Sequence, residues 1–281
     1  MPLSSSVLRG FVLLATCFAA LPVAQASQGS DPAAVEAVRA AVAAELHANE
    51  TDKSNWTYRE TNISDGRRSV YNVIETPKGS LRRLIELNGQ PLTGQAADAE
   101  LARMRQFVND SAAQAKARRA AAHDDAQATE LLKMLPDAFI WTRAGSDADT
   151  DTLSFRPNPD FDPPDMQSRV LGIMAGEIMV TKEGHRIRTL KGKLTDDVRI
   201  GWGILGRLNR GGTFDVERRQ VGEHVWQITE THVHIGGHAL LFKTIGQQED
   251  DVKTEFKPST AKNLQEAAQQ LEASPGAGAG R

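Results

Sequence analysis

Three histidines, His224, His232 and His234, fall at even spacing in the stretch GEHVWQITETHVHI. Its β-branched and aromatic residues predict a strand. Residues two apart on a strand point to one face, so His232 and His234 share a face with Glu230. Imidazoles are ligands for zinc or copper, and His232 and His234 are therefore the candidate metal pair. No HExxH accompanies them and no carboxylate stands at a recognised ligand spacing, so the competing expectation is the polar outer face of a solvated strand. No resident cofactor is expected.

A second motif lies in DDVRIGWGILGRLNRGG, residues 196–212, where Gly201, Gly203 and Gly206 spell G-x-G-x-x-G. A dinucleotide fingerprint needs a helix that opens at this loop, because the helix N-terminus holds the pyrophosphate. Gly211-Gly212 would end any such helix within two turns, and TFDVERR beyond it reads as a strand. The glycines are better explained as relief where a strand bends or bulges, with Gly211-Gly212 as a turn. No G-x-S-x-G and no phosphate-binding loop is present. Adjacent acids such as Asp250-Asp251 point to opposite faces of a strand, which makes them poor acid–base dyads. An enzyme is not expected.

The elements that position these residues follow from periodicity. Asp31-Pro32 starts a helix whose Val35, Val38, Val42 and Leu46 share one face. From Trp56 about three antiparallel strands are expected, with turns at Ser64-Asp65-Gly66 and Asn88-Gly89. Residues 95–135 are alanine-rich and charged and predict two helices, the first of them a long one near 96–120. Leu101, Met104 and Val108 form one apolar face, and Leu131, Leu132 and Leu135 another before Pro136. Lys116, Arg118 and Arg119 read as a solvated face. Strands AFIWTR and DTLSFRP should flank a loop at 144–151. The proline-rich PNPDFDPP (157–164) should cross a surface anchored by Phe161. About six short strands then run to residue 245. A last helix places Leu264, Ala267, Ala268 and Leu271 on one face, and 274–281 form a flexible tail. The fold class is α+β: a mainly antiparallel sheet with N-terminal, inserted and C-terminal helices.

The start of the chain sets the expected compartment. Arg9, the apolar GFVLLATCFAALPVA and Ala24-Gln25-Ala26 form a three-part secretory signal over residues 1–26. The exported protein is then periplasmic or released. Cys17 in LLATC offers a lipoprotein alternative, although Thr16 departs from the small residue usual before a lipidated cysteine. Loss of Arg9 takes the formal net charge from −3 to −4. That balance argues against nucleic acid as partner. No later apolar run is long enough to span a membrane. The domain expected is residues 27–273, with a helical insertion at about 95–135.

The stretches YNVIETPKGSLRRLIELNGQPL, FRPNPDFDPP and VLGIMAGEIMV…RIRTLKGKL, with the order of elements around them, resemble the LolA/LolB-like lipoprotein-carrier superfamily and exported bacterial proteins related to it. The resemblance implies a strongly curved sheet, an incomplete barrel or half-barrel with helices in its mouth, and a non-catalytic envelope protein that shelters a lipid, an acylated protein or another apolar ligand. Candidate lining residues are Trp56, Tyr58, Phe139, Trp141, Phe155, Trp202, Phe214, Trp226 and Phe242, each of which could equally be core. The alternatives are an envelope scaffold or sensor that binds a protein partner, or a metal-dependent protein built on the histidine strand.

Overall fold

A computed structural model describes residues 29–165, 168–200, 206–239 and 248–274. The elements run α1 (Pro32–Thr51), β1 (Trp56–Ser64), β2 (Arg67–Thr76), β3 (Gly79–Leu87), β4 (Gln90–Pro91), α2 (Gly94–Asn109), α3 (Ser111–Ala138), β5 (Phe139–Ser146) and β6 (Thr150–Pro157). After a 3-10 turn at Ser168–Ile173 come β7 (Met174–Thr181), β8 (Ile187–Leu194), β9 (Val198–Ile200), β10 (Gly206–Leu208), β11 (Thr213–Gly222), β12 (Val225–His234), β13 (Gly237–Ala239), β14 (Gln248–Pro258) and α4 (Leu264–Ala273). Eleven strands form one antiparallel sheet in the order β4-β3-β2-β1-β14-β12-β11-β8-β7-β6-β5, and β13-β10-β9 form a separate small sheet. The large sheet is not closed into a barrel. The fold is α+β and dominated by the sheet.

Local chemistry accounts for the elements. The Asp31 carboxylate accepts from the Ala33 amide, and Pro32 begins α1 where its missing N–H costs nothing. Asp65-Gly66 and Asn88-Gly89 have positive φ at both positions, the geometry of tight hairpin turns. The Asn263 side chain caps α4, and Arg83 donates to the Leu271 and Ser274 carbonyls at its other end. Register shifts between Thr57 and Arg59, Glu217 and Arg218, and Met179 and Val180 mark β-bulges, which bend strands and increase their twist.

Two cores lie on opposite faces of the sheet. A row of cross-strand partners runs Trp141, Phe155, Gly176, Gly192, Phe214, Val233, Glu249, Ser64, Arg67. It fixes one face, which α1 and the end of α3 cover over β5–β8 and β11. Ala34, Val38, Val42, Leu135, Phe139, Trp141, Leu153, Phe155 and Ile178 are buried there. Val73 has the parity of Arg67, so Ile74 and Leu81 belong to the other face, where α2 and α4 pack through Met104, Val108, Leu264, Ala267 and Leu271. The strands between the two cores, β1, β14 and β12, are mostly half-buried.

Several expectations need correction. β14 was not expected, because QEDDVKTEFKP shows no apolar alternation, yet it lies near the centre of the sheet. α3, not α2, is the longer inserted helix, at 28 residues against 16. It runs through Pro136 to Ala138, and the Leu135 carbonyl in its last turn accepts from the Trp141 indole at 3.0 Å. The β5–β6 loop closes to 147–149, with Asp147 Oδ1 accepting from the Asp149 and Thr150 amides. Among the described residues, eight strands follow the proline segment rather than six, and VRIGWGILG divides into β9 and β10. Gly206 opens a strand, so the fingerprint lacks its helix; Gly201 and Gly203 lie outside the described residues. Gly211 turns the chain at φ +85°.

Candidate functional site

The anticipated aromatic residues separate into three groups. Phe139, Trp141 and Phe155 pack against one another with ring centroids 4.7–5.7 Å apart, and none is more than 4 % exposed. Phe214 lies over Gly192, where a Cβ would come within 2.5 Å of its ring. These four are core, filled by α1 and α3. Trp56 and Tyr58 belong to a second group with Phe256, which stacks on Tyr58 at 5.2 Å and meets Trp56 edge-on. The Trp56 ring occupies the space above Gly222. Trp226 stands apart and lines a cleft. Trp202 and Phe242 lie outside the described residues.

The cleft holds about 930 Å³ between the C-terminal half of α1, the β5–β6 loop, the β7–β8 turn and the β11–β12 hairpin. Ala44, Ala48 and Trp226 give it an apolar wall; Lys182, Arg186, His47 and His224 bring nitrogen donors, and Asp149 and Glu183 bring acids. Beneath it lies an ion triad. The Glu45 carboxylate accepts from Arg186 Nε at 3.1 Å and Nη2 at 2.9 Å, from the Ile187 amide at 2.8 Å, and is paired with Arg218 Nη1 at 2.5 Å. Burial alone would raise the Glu45 carboxyl, but the hydrogen bonds from Arg186 and Arg218 outweigh it and hold the group below its usual value. The sequence carried a sign of this site: Glu45 extends the stripe of Ala34, Val38, Ala41 and Val42, a carboxylate on an apolar helix face. Arg186 and Arg218 carried none, since each sits among other charged residues.

The expected histidine pair does share a face, with Asp250 opposite His232 in the register. His232 Nδ1 and His234 Nε2 both meet one oxygen of Asp250, at 2.7 and 2.9 Å, and His232 Nε2 lies 3.6 Å from Glu230. The two contacts to Asp250 are of hydrogen-bond length, and the one to Glu230 is a longer charge contact. The cluster is a carboxylate shared by two imidazoles, and no group of three or more metal-ligating side chains has metal-binding geometry among the described residues. His224 does not join it; it lies at the cleft, on the β11–β12 turn with positive φ.

On the opposite face Asp251 hydrogen-bonds Glu60, one strand away. Burial pushes both carboxyls up, and the Asp251 charge adds to the rise at Glu60. Glu75, also raised by burial, accepts from the Trp56 amide at 2.9 Å. The Tyr58 hydroxyl, buried beside these carboxyls, is pushed far up. Spacing along one strand could not reveal the Glu60–Asp251 pair, because its two residues lie on different strands, 191 positions apart in sequence.

Searches of protein families, of curated proteins and of solved structures find no match to this chain. Among the described residues no helix is long and apolar enough to cross a membrane. Lys116, Arg118 and Arg119 of α3 are exposed.

Proposed function

We propose that this is a non-catalytic, exported cell-envelope protein that binds an apolar or amphiphilic ligand, a lipid or the acyl chain of a lipoprotein, as the likeness to lipoprotein carriers implies. The observation that supports this reading is the cleft of about 930 Å³ beside Trp226. Its size suits a small ligand, since such sites span roughly 300–1,000 Å³ and join apolar walls to a few placed polar groups. The tightly packed core aromatics Phe139, Trp141 and Phe155 leave the ligand to the cleft rather than to the centre of the α1 face.

The test is native mass spectrometry of the protein purified from a bacterial periplasm, with a lipid extract of the same preparation. An acyl compound should travel with the chain and be lost in Trp226→Ala while the fold survives. A bare mass in every preparation, with no uptake of an added fluorescent fatty acid, would overturn the reading.

A further inference from the structure

The ion triad beneath the cleft does not balance. Among the described residues Glu45 is the only carboxylate paired with Arg186 or with Arg218, so two guanidinium groups meet one negative charge. All three side chains are removed from solvent, at 12 %, 16 % and 4 % exposure for Arg186, Arg218 and Glu45. An uncompensated cation in such surroundings is unfavourable unless something answers it.

The spare donors are also in place. A guanidinium offers five N–H groups. Arg186 commits Nε and Nη2 to Glu45, while its Nη1 reaches only the His224 carbonyl at 3.4 Å. Arg218 reaches the Ile187 and Trp226 carbonyls at 3.5 and 3.4 Å. Such lengths make weak hydrogen bonds. Arg186 itself lines the cleft, so the excess charge faces the space beside Trp226. The acids of the cleft, Asp149 and Glu183, are exposed at its rim. The charge pattern is a positive floor under a mixed rim.

We infer that the cleft selects an anionic amphiphile, with an oxyanion head group on Arg186 and its hydrocarbon against Trp226 and the α1 alanines. This rests on the ligand-binding reading above and adds the head-group chemistry to it. Carboxylate and phosphate monoester share that chemistry, and guanidinium forks fit both.

The experiment compares dodecanoate, dodecyl phosphate, dodecanol and inorganic phosphate by calorimetric titration of the delipidated protein. One or both anionic amphiphiles should bind at least about tenfold tighter than dodecanol, a difference well within the reach of titration; which of the two leads identifies a free acid or a phosphate head group as the source. Arg218→Met leaves a one-to-one Glu45–Arg186 pair, and should abolish that preference while leaving dodecanol binding unchanged. Arg218→Lys should restore it. Equal binding of dodecanol and both anions by the unaltered protein would overturn the head-group inference and leave the apolar-ligand reading standing. Inorganic phosphate as tight as dodecyl phosphate would also overturn it. No binding of any amphiphile would overturn both. The wild-type comparison decides the matter even if Arg218→Met fails to fold.

Discussion

Asp250 and Asp251 are consecutive on β14 and serve opposite faces of one sheet. Asp250 lies opposite His232 and holds two imidazoles, whereas Asp251 turns to Glu60 on the other side. The alternation of a strand makes this necessary. One charged dipeptide near the middle of the sheet thus builds two titrating clusters of opposite behaviour. One sets two imidazoles on a carboxylate; the other contains two carboxyls that share a hydrogen bond.

Glu60→Gln should stabilise the protein at neutral pH. Burial, then the charge of Asp251, raise the Glu60 carboxyl, so the folded state favours the neutral acid. That contribution is present below the ordinary value of 4.5 and is lost as pH rises through the raised folded value. The amide is neutral throughout and can still donate to Asp251. Urea unfolding should show the variant ahead by about 1 kcal/mol at pH 7, the scale of one buried hydrogen bond, with the gap closing near pH 4. A gap that is constant with pH would show that Glu60 does not titrate as described.

The His232–Asp250–His234 cluster should respond in the opposite sense. The hydrogen bond to Asp250 is the main cause that raises His232. For Asp250 burial acts upward, but the hydrogen bonds and charges of His232 and His234 outweigh it and lower the carboxyl. The His232 contribution is full below its ordinary 6.5 and is lost as pH rises through the raised value. The Asp250 contribution is full above 3.8 and is lost as pH falls through the lowered value. His232→Asn should therefore lower Tm most between pH 4 and 6.5 and hardly at all at pH 9. Thermal melts across that range check it.

Removing one member of the triad should be severe. Glu45→Ala leaves two buried guanidinium groups without their carboxylate and should cost about 3–5 kcal/mol, as other broken buried pairs do. Denaturant midpoints at constant m-value would measure it.

Gly192→Ala tests the floor on which Phe214 lies. A Cβ at Gly192 would meet the Phe214 ring at 2.5 Å and the Ala175 carbonyl at 2.6 Å. Phe214 cannot move away without opening the core it shares with Val233. Overpacking of this kind typically costs about 1–3 kcal/mol, and guanidinium unfolding should show a loss on that scale.

The legible parts of this fold were those with strong periodicity. α1 and α4 announced their buried faces, and the Asn88-Gly89 turn named its hairpin. β14 stayed hidden because its two faces are both polar: Asp250 and Asp251 replace the apolar alternation that marks a half-buried strand. The same polarity hid the Glu60–Asp251 pair, which depends on β1 and β14 being neighbours across nearly the whole chain. Arg186 and Arg218 gave no sign because a surface arginine and a buried one read alike in sequence; what buries these two is the Glu45 carboxylate, brought over β8 and β11 by α1. His232 and His234 could be placed on one face by spacing alone, but their shared acceptor could not.

The aromatic residues give the sharpest contrast between core and site. Trp141 is fully buried among Phe139, Phe155 and the end of α3, and its indole satisfies the Leu135 carbonyl. Trp141→Ala should cost about 3–5 kcal/mol, the usual loss for a large core residue. Trp226 is half-exposed at the cleft, so Trp226→Ala should cost only about 1 kcal/mol, near the ordinary effect of a point substitution. Ligand uptake should divide the other way: fluorescent fatty acid binding falls in Trp226→Ala, whereas Trp141→Phe, which keeps an aromatic ring in the core, retains it. If the core substitution abolished uptake while Trp226→Ala spared it, the ligand would occupy the space between α1 and the sheet, and the cleft would lose its assigned part.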